Sequence, residues 1–388
     1  GVRGEMEGFS TLEMSLVMSG YFVGFLFGSR MAPDMIRRVG HVRVFAALAS
    51  LISAVMILYP TFANVYLWGA GRILIGFCFS GVYVTAESWL NNAATNENRG
   101  KALSLYMIVQ MVGIVSAQAL MLTADPGGFI LFIIPSVLIS LAFAPILLSI
   151  SPTPAFDSTK PMSLREIMRI SPLGCVGMFL LGGIFSAQFG MAAVYGAEAG
   201  LTVTQISTFV ATFYIGALLV QYPLGWLSDR MDRRVLIFAV SAICAVGAVL
   251  GMVLGSVFSI LLIAAVLVGG MSNPLYSLLI AYTNDFLSHE DMAAAAGGMV
   301  FINGLGAVFG PIITGWIMGV MGPSGFFFFI AALCVAMAGY AAYRMTQRAA
   351  PSVADTDSYT VVSPGASPMA VTYAQEVAIE AAQDGQDT

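Results

Sequence analysis

Charged side chains are scarce in this sequence. They make up 10% of its 388 residues, whereas hydrophobic residues make up 58%. Soluble globular domains carry about 25% charged residues, and several apolar runs here exceed the ~18 residues that mark a membrane-spanning helix. The shortage of charge therefore excludes a soluble globular protein and predicts an all-α integral membrane protein.

Residues suited to metal binding or catalysis are equally sparse. The four cysteines lie singly inside apolar runs without a CxxC or metal-type spacing, which predicts packing residues: Cys78, Cys175, Cys244 and Cys334. The two histidines, His41 and His289, fall in loops between the apolar runs. Without an H-x-x-E-H, G-x-S-x-G, P-loop or carboxylate-pair pattern, we expect no enzyme, no metal site and no cofactor.

The apolar runs predict eleven spans. They cover residues 11–31, 43–59, 66–88, 102–122, 129–149, 172–194, 204–223, 234–255, 258–281, 293–319 and 325–343. Fourteen of the sixteen Lys and Arg residues lie on one side of the membrane in this topology, and the two exceptions are Arg3 and Arg72. Basic loops face the cytoplasm, so we expect a cytoplasmic C-terminus and an external Gly1.

A charged corner recurs along the chain. PLGWLSDRMDRR at 223–234 follows two spans after the central loop, whereas its partial echo RRVGHVR at 37–43 follows a single span after Gly1. If the two halves are equivalent, one helix is missing ahead of Gly1, and an original twelve spans divide six and six. A genuine eleven-helix protein is the alternative.

The corner also carries a family resemblance. Residues 225–234 resemble the G-x-L-a-D-R-x-G-R-R loop signature of the major facilitator superfamily. The stretches 71–76 and 304–315 resemble the superfamily's fourth- and eleventh-helix patterns. Glu87-Ser-Trp-Leu-Asn91, followed by residues 98–101, is similar to its YcaD-like branch. The resemblance implies two six-helix bundles around a central cavity that work by alternating access.

On this basis the chain divides into four parts. They are an N-terminal bundle at 1–149, a cytoplasmic central loop at 150–171, a C-terminal bundle at 172–344, and a disordered acidic cytoplasmic tail at 345–388. In the central loop, Ser163 and Glu166 form a capping-box pattern, which indicates either a short helix on the membrane surface or a solvated linker.

The resemblance implies a conformational gate at the two corners. We expect Gly225 to allow two helices to approach closely, beside a cluster of Asp229, Arg230, Arg233 and Arg234 that pairs in one conformation and separates in the other. In the N-terminal copy Gly40 is retained and Arg38 remains basic. Arg37 stands at the position where the signature has its aspartate. Asp34, three residues earlier on the same helical face, is a candidate to take the role of that aspartate. Alternatively, the arginines only set the topology.

Polar residues inside spans are the candidates for solute or proton binding: Arg72, Glu87, Gln110, Gln188, Asn273, Tyr276 and Asn303. Arg72 lies ~9 Å inside the outer boundary at 1.5 Å per residue, where it either binds a solute or extends to the surface. Glu87 lies ~22 Å further along the same helix. It is expected to meet Arg37 or Arg38, or else to carry a proton. The amides face a cavity or form interhelical hydrogen bonds, and Asn273-Pro274 is expected to interrupt its helix.

We therefore expect a monomeric secondary transporter in the bacterial inner membrane. It would move a small solute by alternating access, with or without coupled protons, and its partners would be the solute and the lipid bilayer, with no nucleic acid. A membrane sensor or scaffold that retains the fold without transport is the alternative.

Overall fold

The computed structural model describes residues 1–94, 96–148, 162–348, 356 and 359–384. In these ranges the regular structure is helical. The helices of the N-terminal part are α1 (Val2–Met6), α2 (Thr11–Val39), α3 (His41–Thr61), α4 (Val65–Ala93), α5 (Asn96–Leu120) and α6 (Ile130–Leu148). Those that follow are α7 (Leu164–Ile170), α8 (Pro172–Ser186), α9 (Ala192–Glu198), α10 (Val203–Ser228), α11 (Arg233–Leu254), α12 (Phe258–Asn284), α13 (His289–Met321), α14 (Ser324–Gln347) and α15 (Pro368–Asp384).

Eleven of these elements are long and apolar enough to cross a membrane, which confirms the eleven predicted spans. The spans are α2 to α6, the continuous unit formed by α8 and α9, and α10 to α14. A π-helical turn at Ala187–Met191 joins α8 to α9. The chain is thus a multi-pass membrane protein, and α2 extends eight residues beyond its predicted end because the charged corner continues the helix.

The spans pack in two groups. Helix α4 contacts both α2 and α3, and α3 also contacts α6; in the second group, α12 packs on α10 and α11, α14 on α11, and α13 on α8. Glycines permit close crossings, among them that of α2 and α4. A Cβ at Gly24 would lie 1.8 Å from the Ile73 carbonyl oxygen, and one at Gly76 would lie 1.9 Å from that of Tyr21. The two groups meet along α2 with α13 and along α5 with α10.

The two membrane faces differ in how the groups are joined. We call the face that carries the charged corners the basic side and the other face the opposite side. On the opposite side the groups bond directly: Ser19 Oγ donates to the Val308 carbonyl oxygen at 2.6 Å, and Ser207 Oγ donates to the Gln118 carbonyl oxygen. On the basic side the C-terminal segment 359–384 lies between the groups and contacts α4, α5 and α13.

The expectation of a disordered tail at 345–388 is wrong for the residues that the structure describes. Helix α14 runs to Gln347, and α15 occupies Pro368–Asp384. Ser367 starts α15 by accepting a hydrogen bond from the backbone N–H of Met369, and a proline at the first helical position has a suitable φ. Ala370, Val371 and Ala374 are buried on one face, so the other helices supply the apolar cover that a solvated tail lacks.

The structure also tests three smaller expectations, of which one is confirmed and two are wrong. Ser163 caps α7 as predicted, accepting from the Glu166 backbone N–H at 3.3 Å; residues 150–161 of the central loop lie outside the described ranges. His41 is not in a loop: it begins α3 and is buried, with Nε2 2.9 Å from Ser88 Oγ. Asn273-Pro274 does not interrupt α12, which runs unbroken through it, because packed membrane helices tolerate an internal proline.

Candidate functional site

A cavity of about 390 Å³ lies between the two helix groups, about midway along the spans that line it. We call it the aromatic cavity, because eight aromatic side chains from both groups line it. They are Tyr21, Phe22, Phe25, Phe79, Tyr83, Phe185, Phe189 and Tyr214. Small-molecule sites typically occupy about 300–1,000 Å³, so the volume suits a small solute.

Helical spacing places these rings together. Residues four apart share a helix face, and this relation joins Phe79 to Tyr83 on α4 and Phe185 to Phe189 on α8 and the π turn. The ring centroids of Phe185 and Phe189 are 5.9 Å apart, and those of Tyr21 and Phe189 are 5.4 Å apart. Rings from α2 and α8 thus form a continuous apolar wall across the boundary between the two groups.

Three of the predicted amides reach the same cavity: Gln110, Asn273 and Asn303. Asn303 Nδ2 donates to the Met178 carbonyl oxygen at 3.0 Å, and Asn273 Nδ2 donates to that of Gly269 at 3.0 Å. Gln110 Nε2 donates to the Tyr106 hydroxyl at 2.8 Å. Among the described residues no charged side chain lines the cavity, so its polarity comes from amides and phenols.

The remaining candidates lie elsewhere. Gln188 is buried and donates to Ser272 Oγ at 2.8 Å, away from the cavity lining. Tyr276 is fully buried, and its hydroxyl has no hydrogen-bond partner in the described part of the chain. Arg72 does not line the cavity either; its Cβ packs beside Gly20 at the crossing of α2 and α4. The structure therefore separates Arg72 from the three clustered amides.

Glu87 lies on the basic side of the aromatic cavity and is 1% exposed. The Tyr106 hydroxyl donates to Glu87 Oε1 at 2.8 Å, and Ser367 Oγ donates to Oε2. The expectation that Glu87 meets Arg37 or Arg38 is wrong, because hydroxyl and backbone donors occupy its carboxylate instead. Gln110, Tyr106, Glu87 and Ser367 consequently form one hydrogen-bonded chain from the cavity to the C-terminal segment.

The charged corner at 225–234 forms an ion-pair cluster at the end of α10. Arg233 is 3% exposed; its guanidinium pairs with the carboxylate of Asp285 on α12 and also donates to the Ala281 carbonyl oxygen at 3.1 Å. Asp229 lies 3.5 Å from the Arg233 guanidinium and accepts the backbone N–H of Tyr359 at 2.8 Å. The cluster thus joins α11 to α12 and to the C-terminal segment.

The other corner residues have local partners. Arg230 stacks on the Trp226 ring at 4.3 Å from its centroid. Arg234 pairs with Asp232 at 2.8 Å. Burial raises the pKa of Asp232, but the hydrogen bonds from Arg234 outweigh this and leave that pKa below its ordinary value.

Gly225 does not serve the close helix approach that the sequence predicts. A Cβ there would lie 2.7 Å from Cδ1 of Tyr359, so the space it leaves is filled by the C-terminal segment rather than by a neighbouring helix.

The N-terminal corner is simpler. Gly40 separates α2 from α3 with φ of 85°, a conformation that favours glycine. Arg37 lies 3.6 Å from Asp34, the partner expected from the sequence, and both are exposed. Arg38 is exposed at the end of α2. The buried cluster therefore belongs to the C-terminal corner.

Sequence reasoning missed most of the aromatic lining and the whole C-terminal segment. The i, i+4 aromatic pairs on α4 and α8 were a usable signal for the lining. The Ser367-Pro368 pair was a usable helix-start signal for α15. Ser277, which bonds to residue 362, carried no distinguishing pattern.

Long apolar helices surround a cavity that has no charged side chain in its described lining, and this defines a multi-pass helical membrane protein with room for a small molecule between its helix groups. In the described ranges, no group of three or more His, Cys, Asp or Glu residues could hold a metal ion. The family model described as Major Facilitator Superfamily matches residues 6–202 and 173–368. The chain belongs to that superfamily.

Its curated relatives are likewise transporters. The chain is 23% identical to the uncharacterized MFS-type transporter YcaD of Salmonella arizonae, covering 79% of this chain and 80% of the relative. It is 25% identical to YcaD of Escherichia fergusonii, covering 80% and 81%. These relatives confirm the predicted superfamily and YcaD-like branch, and they indicate a transporter that acts on a small solute in a lipid environment.

Solved structures confirm the fold. The structure of a mutant of the nucleoside transporter NupG matches with a TM-score of 0.72 at 14% identity, covering 87% of this chain and 92% of that one. The transporter FucP in its outward conformation matches with a TM-score of 0.53 at 13% identity, covering 85% and 89%.

Proposed function

We propose that the chain is a secondary transporter that binds an uncharged solute in the aromatic cavity and moves it by alternating access. The observation that carries this proposal is the composition of that cavity. Rings from both helix groups face three amides, with no charged side chain in the described lining. Aromatic faces bind planar apolar groups, and amides supply the few placed hydrogen bonds that orient a ligand.

The chemical class follows from this lining. We propose solutes with an aromatic or heteroaromatic ring and neutral hydrogen-bonding groups. Nucleosides have both properties, and one structure with this fold is that of a nucleoside transporter. A charged solute would be desolvated in this cavity without a counter-charge, at a cost of several kcal/mol.

The moving parts are proposed to be the two bundles, 1–149 and 172–344, acting as a monomer. Direct hydrogen bonds join them on the opposite side, which supports a state open toward the basic side once the C-terminal segment is removed. By the positive-inside rule we place the basic side, and with it the C-terminus, in the cytoplasm of a bacterial cell. The Arg233 cluster would hold the corner of the C-terminal bundle during this motion.

Glu87 is the residue proposed to couple transport to protons. It is buried, its partners in the described structure are hydroxyl and backbone groups rather than cations, and Tyr106 connects it to Gln110 in the cavity. Transport down the solute's own gradient is the alternative mode.

A thermal-shift screen of neutral aromatic solutes, nucleosides included, tests the binding site. A ligand should raise the melting temperature of the chain and of Arg72→Ala alike. Tyr83→Ala and Gln110→Ala should weaken binding about five- to tenfold, since an aromatic or hydrogen-bond contact is worth about 1 kcal/mol. Loss of the shift in Arg72→Ala alone would contradict the assignment.

Flux of the same solute into reconstituted vesicles tests transport itself. The competing function is a sensor or scaffold without transport, which is favoured by the C-terminal segment lying across the basic side. Binding without flux in any variant would establish that alternative.

A further inference from the structure

The C-terminal segment lies inside the space through which a solute would leave the aromatic cavity. Its turn at residues 363–366 forms one wall of that cavity. Residues 359–364 also line a second cavity of about 600 Å³ between α5 and α10 on the basic side. The two cavities share Met111 and Asn273 and are separated by this chain segment. We call residues 359–376 the plug.

The plug is bonded to the C-terminal bundle through backbone groups. Ser277 Oγ donates to the Val362 carbonyl oxygen at 3.0 Å and accepts the Val362 N–H at 2.8 Å. The backbone N–H of Tyr359 donates to Asp229. One side-chain bond adds to these, because the Tyr359 hydroxyl accepts from Gln221 Nε2 at 2.8 Å. Val362 is 2% exposed, so this end of the plug is a fitted part of the interior.

The plug is bonded to the N-terminal bundle through Glu87. The Glu87 carboxylate accepts hydrogen bonds from the Ser367 hydroxyl and from the backbone N–H groups of Ser367 and Ala370. The carboxylate therefore lies at the first turn of α15. A helix N-terminus carries partial positive charge and unsatisfied N–H donors, which makes a carboxylate a favourable partner. Further along α15, Asn91 Nδ2 donates to Glu376 at 3.2 Å. One chain segment therefore bonds to both bundles.

Charge favours this placement. Six acidic residues and no basic residue follow Arg348, whereas the rest of the chain holds sixteen basic and fifteen acidic residues. One of these six acids, Glu376, belongs to the plug and the other five flank it in the sequence, so we expect attraction to the basic residues of that side to favour this placement.

We infer that residues 359–376 are an intrinsic plug that closes the solute pathway on the basic side and that transport requires the release of this plug from Glu87 and Ser277. The geometry also gives the solute a means to promote release. Gln110 in the cavity bonds to Tyr106, and Tyr106 bonds to Glu87. A solute that takes the Gln110 amide rearranges the network that holds the first turn of α15. The inhibitory role rests on the proposed transport function, whereas occupancy of the pathway does not.

Thiol accessibility tests occupancy without any solute. Ser277 is 1% exposed and lies beneath Val362, so a polar maleimide should modify Ser277→Cys slowly in the otherwise unchanged full chain. This substitution replaces the hydroxyl that bonds to Val362, so every labelling rate is compared within the Ser277→Cys background. Adding Tyr359→Ala and Ser367→Ala removes the hydrogen bond from Gln221 to the Tyr359 hydroxyl and the hydrogen bond from the Ser367 hydroxyl to Glu87. Labelling should then quicken at least about tenfold, in proportion to the increased open fraction. The chain with only its four buried cysteines supplies the background.

Thr372→Ala is the matched control, because among the described residues the Thr372 hydroxyl bonds only to Pro368 of its own helix. It should leave the labelling rate unchanged. A protease site inserted between Arg348 and Tyr359 provides a second route that does not depend on the variants folding. Cleavage of the folded protein should also quicken labelling. Equal labelling before and after both treatments would show that the segment is a permanent wall and overturn the proposal.

Flux tests the inhibitory role. With a solute identified by the thermal-shift screen, the Tyr359→Ala/Ser367→Ala chain should carry it several-fold faster than the unchanged chain, and Thr372→Ala should not. Faster labelling with unchanged flux would overturn the requirement for release. If no variant shows flux, the proposed transport function fails, and the labelling result still decides whether the plug leaves its site.

Discussion

At the scale of single residues, burial separates arginines that the sequence motif groups together. Arg233 is almost fully enclosed and pairs with Asp285, which is also buried, whereas Arg230 is exposed and stacks on Trp226. Removing one partner of a buried ion pair leaves an uncompensated charge in the interior, while an exposed cation keeps its hydration. The two arginines of one motif should therefore contribute very differently to stability.

We expect Asp285→Ala to lower the free energy of unfolding by about 3 kcal/mol, the lower end of the range for breaking a buried pair, because Asp229 at 3.5 Å still partly compensates the Arg233 charge. Arg230→Ala should lower it by less than about 1 kcal/mol. Thermal unfolding of the purified chain measures both. Asp285→Ala combined with Arg233→Met removes the stranded charge and should recover part of the loss. Equal melting temperatures for the two single variants would contradict the difference in role.

At the scale of helices, close packing depends on glycines at crossings such as that of α2 and α4. Helices α2 and α4 approach so closely that the backbone of each occupies the space of a side chain on the other. Small residues allow such approach in membranes, where van der Waals contact between helices replaces the hydrophobic drive. The glycines at this crossing are therefore packing residues, distinct from glycines that face open space.

Gly76→Ala should accordingly force α2 and α4 apart and lower the melting temperature, because its Cβ would lie 1.9 Å from the Tyr21 carbonyl oxygen. Overpacking of this kind costs about 1–3 kcal/mol. Gly339→Ala is the matched control on α14, where a Cβ would have no neighbour within 4 Å. If both substitutions lower the melting temperature equally, the close approach of α2 and α4 is not what makes Gly76 necessary.

The sequence predicted elements better than it predicted their ends and partners. Long apolar runs define spans by themselves, since an unsatisfied backbone in lipid is too costly for any other structure. The π turn at 187–191 leaves no such mark. The composition of the tail, rich in small and polar residues, predicts disorder. Helix α15 nevertheless forms there, because other helices of the chain enclose it. No local sequence pattern indicates such an enclosed space.

The candidate site, too, was only partly predictable from the sequence. Gln110, Asn273 and Asn303 stood out because amides are rare in lipid-facing helices, and the structure brings all three to one cavity. Arg72 stood out for its charge but lies outside the cavity, since depth along a helix can be counted whereas the direction it faces depends on tertiary packing. The sequence predicts the wrong partner for Glu87, and one of its two hydroxyl partners, Ser367, lies 280 residues further along the chain.

At the scale of the whole molecule, the two bundles are held together differently on the two sides of the membrane. Ser207 and Gln118 join them directly on the opposite side, and the plug joins them on the basic side. Alternating access requires the direct contact to break while the basic side closes. A covalent bridge on the opposite side should therefore hold the molecule in a single state.

Gln118→Cys with Ser207→Cys, bridged by a short bifunctional thiol reagent, should abolish solute flux in vesicles. The same bridge should leave Ser277→Cys open to labelling in the chain that also carries Tyr359→Ala and Ser367→Ala, because opening toward the basic side does not require that contact to break. The control bridge joins Ser53→Cys to Ser136→Cys. Those hydroxyls lie 2.8 Å apart within one bundle, so a bundle that moves as a rigid unit keeps their distance and should keep its flux. Flux that survives the first bridge would mean that the bundles do not separate on the opposite side, and transport by rocking of the two halves would have to be abandoned.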